Sequence, residues 1–179
     1  METKQKTPYA SDGYIVNQGR LTNIRYGLRK SSANGCGWIA AYNFLKQQGE
    51  GVSEQRTADD LVRWTVFRGL FGTELFHLWI YLTRRGYRTG VAVTGNKKAA
   101  LPEAVCAGVI YYRHKRGFHF VSFYRDDNVP QIENEKPRFR FLNAIAGKEN
   151  HFDTMAGFLA KHNVIPFAII FYWPRRSRR

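Results

Sequence analysis

The stretch Ser31-Ser32-Ala33-Asn34-Gly35-Cys36-Gly37-Trp38-Ile39-Ala40-Ala41-Tyr42-Asn43-Phe44-Leu45 decides how the rest of the chain is read. Ser31, Ser32 and Asn34 are helix-capping residue types, because their side-chain oxygens accept from the unpaired N–H groups of a first turn. A long apolar run without proline follows them. The pattern predicts a helix over 35–48 with Cys36 at, or one residue inside, its N-terminus. Lys46, Gln47 and Gln48 end it with polar residues, and Gly49 serves as the C-cap glycine. Trp38, Ile39, Ala40, Ala41, Tyr42, Phe44 and Leu45 leave almost no polar face, and a helix apolar all round is a buried one. Cys36 therefore heads a helix running through the middle of the domain.

Unpaired N–H groups and the positive end of the helix dipole gather at that position. Their field favours a thiolate, the nucleophilic form of sulfur. Gly35 and Gly37 flank Cys36 without side chains, so a substrate backbone can approach closely. A free Cys is also commonly a small buried hydrophobe. What separates the two roles is a base within reach of the sulfur and a group that orients the base.

The chain has 179 residues, enough for one domain with a proper core. Apolar residues make up 44%, which places it among folded globular proteins. Two cysteines, Cys36 and Cys106, exclude a disulfide framework and fit a reducing compartment. Residues 1–8 lack the apolar core of a signal peptide, and no apolar run is long enough to span a bilayer, so a cytoplasmic location is expected. The net charge is +14, with 28 Lys and Arg against 14 Asp and Glu. Part of it lies in a basic tail, Arg175 to Arg179, and part in the turn Arg113-His114-Lys115-Arg116. Neither forms a groove-reading helix. A solvated basic surface with weak polyanion contact through the tail is the expectation.

No repeat, low-complexity tract or linker interrupts the chain, so 1–174 reads as a single domain with an extended N-terminal arm, followed by the tail 175–179. Thr57-Ala58-Asp59-Asp60 has the form of a capping box opening a helix over 57–69. A third helix is expected from Thr73 to Arg85, with Leu75, Leu78, Trp79 and Leu82 as its apolar stripe and Gly86 as its stop. Strands are expected over 87–94, 105–113, 118–124, 138–143 and 167–173, with a helix over 152–162. Helices first and strands later indicate an α+β fold with an antiparallel sheet packed on the Cys36 helix.

Among five histidines, His119 stands out. It lies in Phe118-His119-Phe120-Val121-Ser122-Phe123-Tyr124, a strand apolar on both faces, where a histidine needs partners. A satisfied core histidine is the alternative. His77, His114, His151 and His162 read as structural, charged-turn, capping and helix-end residues. Asn143 ends the strand Phe139-Arg140-Phe141-Leu142 and can accept from an imidazole N–H, holding its tautomer. A turn-forming Asn is equally consistent. Asp126 and Asp127 are rivals that read as a solvated turn.

The box Asn34-Gly35-Cys36-Gly37-Trp38 at the head of a buried helix, then His119-Phe120-Val121 on a strand, then Asn143 after another, resembles the papain-like cysteine peptidase superfamily. The order Cys, His, Asn matches, and the similarity is closest to small bacterial members such as double-glycine leader peptidases and their relatives. The resemblance implies a papain-like α+β fold, with Cys36 as nucleophile, His119 as base and Asn143 as its orienting residue. Papain-like enzymes commonly carry a Gln six residues before the Cys as an oxyanion donor; that position is Lys30. The side-chain donors available instead are Asn34, Gln18 or Asn23, beside the Cys36 backbone N–H. Losing such a donor costs a factor of roughly 10²–10³ in turnover. The expected activity is hydrolysis of a peptide or amide bond in a peptide or protein substrate, with no cofactor. An acyl or peptidyl transferase uses the same constellation, and a papain-like shell that binds without turnover is the alternative of another class. No Cys-x-x-Cys or His-Glu-x-x-His spacing suggests a metal site.

Overall fold

The computed structural model describes residues 7–87, 90–95, 105–114, 117–126, 137–149, 151–162 and 167–174. It is a mixed α+β structure with antiparallel sheets. The first half carries a short hairpin, β1 (Arg25–Tyr26) with β2 (Arg29–Lys30), and then α1 (Ser31–Asn34), α2 (Cys36–Gln47), α3 (Glu54–Val62) and α4 (Leu75–Arg84). Single 3-10 turns lie at Gln18–Arg20 and Val66–Gly69. The second half supplies β3 (Gly90–Gly95), β4 (Val105–His114), β5 (Gly117–Tyr124), β6 (Arg138–Leu142), β7 (Phe152–Thr154), α5 (Met155–Lys161) and β8 (Phe167–Pro174). These strands form one antiparallel sheet in the order β3-β8-β4-β5-β6-β7.

Strand alternation explains how the sheet serves two cores. Ala107 and Val109 on β4 and Phe120 on β5 join the α2 core around Trp38, Ile39, Phe44 and Leu45. Ile110, Tyr112, Val121 and Phe123 point the other way and pack with Phe158 and Leu159 of α5. Val105 breaks the alternation by joining the α5 side, because the β4–β8 register shifts between Val105 and Ala107. The sheet is thus enclosed by α2 on one face and α5 on the other.

Helix α2 is as buried as its sequence requires: every residue from Gly37 to Leu45 is buried. Asn43 is the polar exception, and both ends of its amide are used. Its Oδ1 accepts from the Ile15 N–H at 3.0 Å and its Nδ2 donates to the Ile15 carbonyl at 2.9 Å. The N-terminal arm is pinned to α2 in this way. Arg140, buried on β6, ties the same arm to the sheet through Asp12, and it also donates to the Tyr124 hydroxyl at 2.8 Å.

Several boundaries differ from the sequence reading. Ser31, Ser32 and Asn34 do not cap α2. They form a helical turn of their own, and Gly35 occupies the N-cap without a side-chain bond. Thr57 does not open α3; Ser53 does, its Oγ accepting from the Arg56 N–H at 3.3 Å. Thr57 is buried inside the helix, its hydroxyl donating to the Ser53 carbonyl at 2.9 Å. The helix stops at Val62 rather than 69: Thr65 is already extended, φ −88° and ψ 143°, and Phe67 and Arg68 beyond it take left-handed angles, φ 52° and 50°. On α4 the buried stripe is Leu78, Tyr81 and Leu82, and Trp79 is 38% exposed. The expected helix over 152–162 begins as strand β7 and becomes helical only at Met155. The N-terminal arm, read from sequence as extended with a single short strand, carries the two-strand hairpin β1–β2. The tail 175–179 lies outside the described residues. No helix among the described residues is long and apolar enough to cross a membrane.

Candidate active site

Cys36 is the first residue of α2. The backbone N–H groups of Phe120, Gly37 and Cys36 itself lie close enough to its sulfur to favour the thiolate electrostatically. The last two are the unpaired donors of a helix N-terminus. The first comes from β5, and the ladder register explains why it is available. The Arg125 N–H donates to the Cys106 carbonyl across β4 and β5. Antiparallel pairs alternate between bonded and non-bonded. Counting from that bond, Tyr112↔His119 is a bonded pair and Tyr111↔Phe120 a non-bonded one. The Phe120 N–H therefore points away from β4, toward the side where β6 would lie. Strand β6 pairs with β5 only at Ser122, Phe123 and Tyr124. The opening it leaves is where Cys36 meets β5, one residue from His119.

The thiol is not predisposed to ionise. Burial pushes its pKa up, and the three N–H groups only partly offset this. The helix-terminus field anticipated from sequence is present, but desolvation outweighs it. The hydroxyls of Tyr111 and Tyr112 are also pushed up, mainly by burial and further by the nearby Cys36 sulfur.

His119 is half-buried on β5, with its ring edge-on to that of Tyr112 at 6.0 Å between centroids. Its Nε2 lies 2.8 Å from the backbone carbonyl oxygen of Asn143. A carbonyl can only accept, so Nε2 carries the proton and the neutral ring keeps its lone pair on Nδ1. Asn143 thus contacts the imidazole as the sequence anticipates, but with its main chain rather than its amide. The amide is engaged elsewhere: Oδ1 accepts from the Gln18 N–H at 3.0 Å and Nδ2 donates to Gln18 Oε1 at 3.3 Å. Asn143 has φ 62°, the left-handed region that Asn tolerates better than most residues. That turn directs the carbonyl to His119 and the side chain to Gln18.

The three oxyanion candidates separate, and Asn23 is exposed on the N-terminal arm. Asn34 donates its Nδ2 to the Gly69 carbonyl, and its Oδ1 is buried with no partner among the described residues. One N–H of its amide is therefore spent on the loop after α3. Gln18 is held by Asn143 through Oε1, which leaves its NH₂ as the donor end. Gln18 and Gly19 line a cavity of about 410 Å³ together with Tyr112, His119, Asn143 and His162. Cys36 is not among its lining residues; it approaches β5 from the α2 side. Lys30 is exposed on β2.

Of the remaining histidines, the side chain of His114 lies outside the described residues and the other three are placed. His77 Nδ1 lies 2.5 Å from Glu74 Oε2 at the start of α4. His151 is buried against Phe141 and Phe158, and His162 packs against Phe158 at 4.3 Å between centroids. Among the described residues no three His, Cys, Asp or Glu side chains converge as a metal site would require. Sequence reasoning missed the Phe120 N–H and Tyr112, although the register of the β4–β5 hairpin places Tyr112 directly opposite His119. No family model matches the sequence, and no curated protein matches it.

Proposed function

We propose that the protein is a papain-like cysteine peptidase or amidase. The observation that carries this reading is the Nε2–H bond from His119 to the Asn143 carbonyl, which sets the tautomer a general base needs beside a strand that also receives the Cys36 sulfur. In this mechanism Cys36 attacks the carbonyl carbon of the substrate as its thiol proton passes to His119 Nδ1, which requires the sulfur to reach from the α2 side of β5 to the cavity that His119 lines. The raised thiol pKa means that this proton moves with the attack rather than before it. The oxyanion is met by the Cys36 backbone N–H and the Gln18 NH₂. Collapse breaks the C–N bond, and His119 returns its proton to the departing amine. Water then adds to the thioester, giving one proton to His119, and the carboxylic acid leaves as the thiol is restored. A transferase differs only in the nucleophile that replaces water.

One observation favours a second reading. Cys36 lies outside the wall of the cavity that Gln18 and His119 share, which suits a shell that binds a peptide without turning it over. Iodoacetamide labelling followed by peptide mass mapping separates the two. A catalytic pair requires that Cys36 be alkylated near pH 7 much faster than Cys106 and that His119→Ala suppress this. Equal Cys36 labelling in wild type and His119→Ala defeats the enzyme reading. A pool of peptide amides assayed for amine release then reports turnover.

A further inference from the structure

The loop between α3 and α4 presents aromatic side chains to solvent on a backbone that is firmly held. Phe67 is 66% exposed and Phe71 77%, their rings edge-to-face at 5.9 Å. Val66 and Leu28 are exposed beside them, at 51% and 56%. The Leu28 N–H donates to the Arg68 carbonyl at 3.3 Å, so the β1–β2 turn and this loop form one ridge. The Tyr26 hydroxyl is 2.7 Å from Thr73 Oγ1, and Val66 N–H donates to Glu74 at 3.2 Å. Phe67 and Arg68 both hold left-handed backbone angles, each costing about 1–2 kcal/mol. The fold sustains this conformation while leaving its largest apolar side chains in water.

We propose that this ridge docks on a bilayer surface rich in anionic lipid. Exposures this high mean that the rings project outward rather than line a groove, which suits insertion among headgroups better than capture of a peptide. The flanking charge is one-signed. Arg25, Arg29, Lys30, Arg63 and Arg68 are exposed along the same two segments. The nearby carboxylate of Glu74 is engaged by His77 and the Val66 N–H. A second copy of the chain would bring like charges together, whereas an anionic surface neutralises them. Apolar insertion and basic attraction supply the two signals that stable peripheral attachment needs.

The test is co-sedimentation with vesicles of phosphatidylcholine alone and of phosphatidylcholine with phosphatidylglycerol at three to one. Expected is several-fold greater partition onto the anionic vesicles, with Trp64, which is 37% exposed just after α3 beneath the Arg84 guanidinium, giving blue-shifted, bromolipid-quenched emission. Phe67→Asn with Phe71→Ser should lower that partition at least about tenfold. Asn suits the left-handed backbone at 67, so far-UV circular dichroism and Cys36 alkylation should stay at wild-type values. Those readouts keep this result separate from the catalytic proposal. Arg63→Gln should weaken binding and flatten its salt dependence. No preference for anionic vesicles overturns the proposal. So does binding that salt removes but the double variant does not, since that is charge alone. Concentration-dependent dimerisation relieved by the double variant overturns it in favour of a second copy.

Discussion

Asn143 offers the sharpest test of how the site is held. Its side chain exchanges two hydrogen bonds with Gln18, at 3.0 and 3.3 Å, while its carbonyl accepts from His119 at 2.8 Å. Asn143→Ala removes both side-chain bonds, at about 1 kcal/mol each. It also places a β-carbon with no compensating polar group at φ 62°, adding about 1 kcal/mol. The total is about 3 kcal/mol. Asn143→Gly loses the same bonds but not the backbone fit, and its looser unfolded chain takes back part of that gain, giving roughly 2–2.5 kcal/mol. Asn143→Asp keeps the acceptor for Gln18 N–H and tolerates the backbone angle, so about 1 kcal/mol is lost. In a chain of this length 1 kcal/mol moves Tm by about 2–4 °C. The expected fall is therefore about 6–12 °C for Ala and about 2–4 °C for Asp, with Gly between. Urea titrations and thermal melts followed by tryptophan fluorescence measure this, with the buried Trp38 reporting on the α2 core. All three variants keep a carbonyl at position 143, so Cys36 alkylation should stay close to wild type. If Ala destabilises no more than Asp, the account of the left-handed turn and the Gln18 clamp is wrong. If all three lose Cys36 reactivity as completely as His119→Ala, the amide and not the carbonyl orients the imidazole.

Burial raises the Cys36 pKa, so its contribution to stability is complete below the ordinary thiol value of about 8.5 and is lost as pH rises through the folded value. Wild type should lose stability relative to Cys36→Ala as pH rises above about 8.5, measured by urea midpoints. His151 has the opposite sign: burial, then the Lys148 and Lys161 charges, lowers its pKa against the opposing pull of Asp153. Its contribution is complete above about pH 6.5 and is lost as pH falls through the folded value, and His151→Phe should remove that acid loss. A β-carbon at Gly37 would lie 2.3 Å from both Cβ and Oγ1 of Thr73, which is buried and bonded to Tyr26. Gly37→Ala should therefore cost about 1–3 kcal/mol, a fall of roughly 2–12 °C in Tm.

The α2 helix was legible because its apolar run has no polar face and Gly49, at φ 81°, closes it where a C-cap glycine belongs. The β4–β5 hairpin was legible for the same kind of reason, since two β-rich runs flank a short turn. The start of α3 was not. Ser53 and Thr57 are both acceptable caps, and the choice falls to the helix face that can bury Thr57 and Ala58. The extent of α3 was misread because Phe67 and Arg68 carry no local mark of a left-handed backbone; only Gly69 and Gly72, at φ 73° and 89°, hint at a break. At the site, residue types and order could nominate Cys36, His119, Asn143 and Gln18. They could not say which polar group of Asn143 faces the imidazole, because that depends on how β6 turns off the sheet. Nor could they decide between Asn34 and Gln18, since the Gly69 carbonyl that occupies Asn34 comes from a loop 35 residues away.

The bonds between Gln18 and Asn143 join residues 125 positions apart, and His119 is 24 positions from the carbonyl it leans on. Contacts of such separation carry the largest loop-closure cost and form late in folding. During synthesis α2 emerges early with its cysteine, but neither the imidazole's acceptor nor the partner of Gln18 exists until β6 has been made. A nascent or truncated chain holds the sulfur before the His119–Asn143 and Gln18–Asn143 bonds can form. On the proposed mechanism, the order of emergence delays chemistry at Cys36 until the sheet behind it is complete.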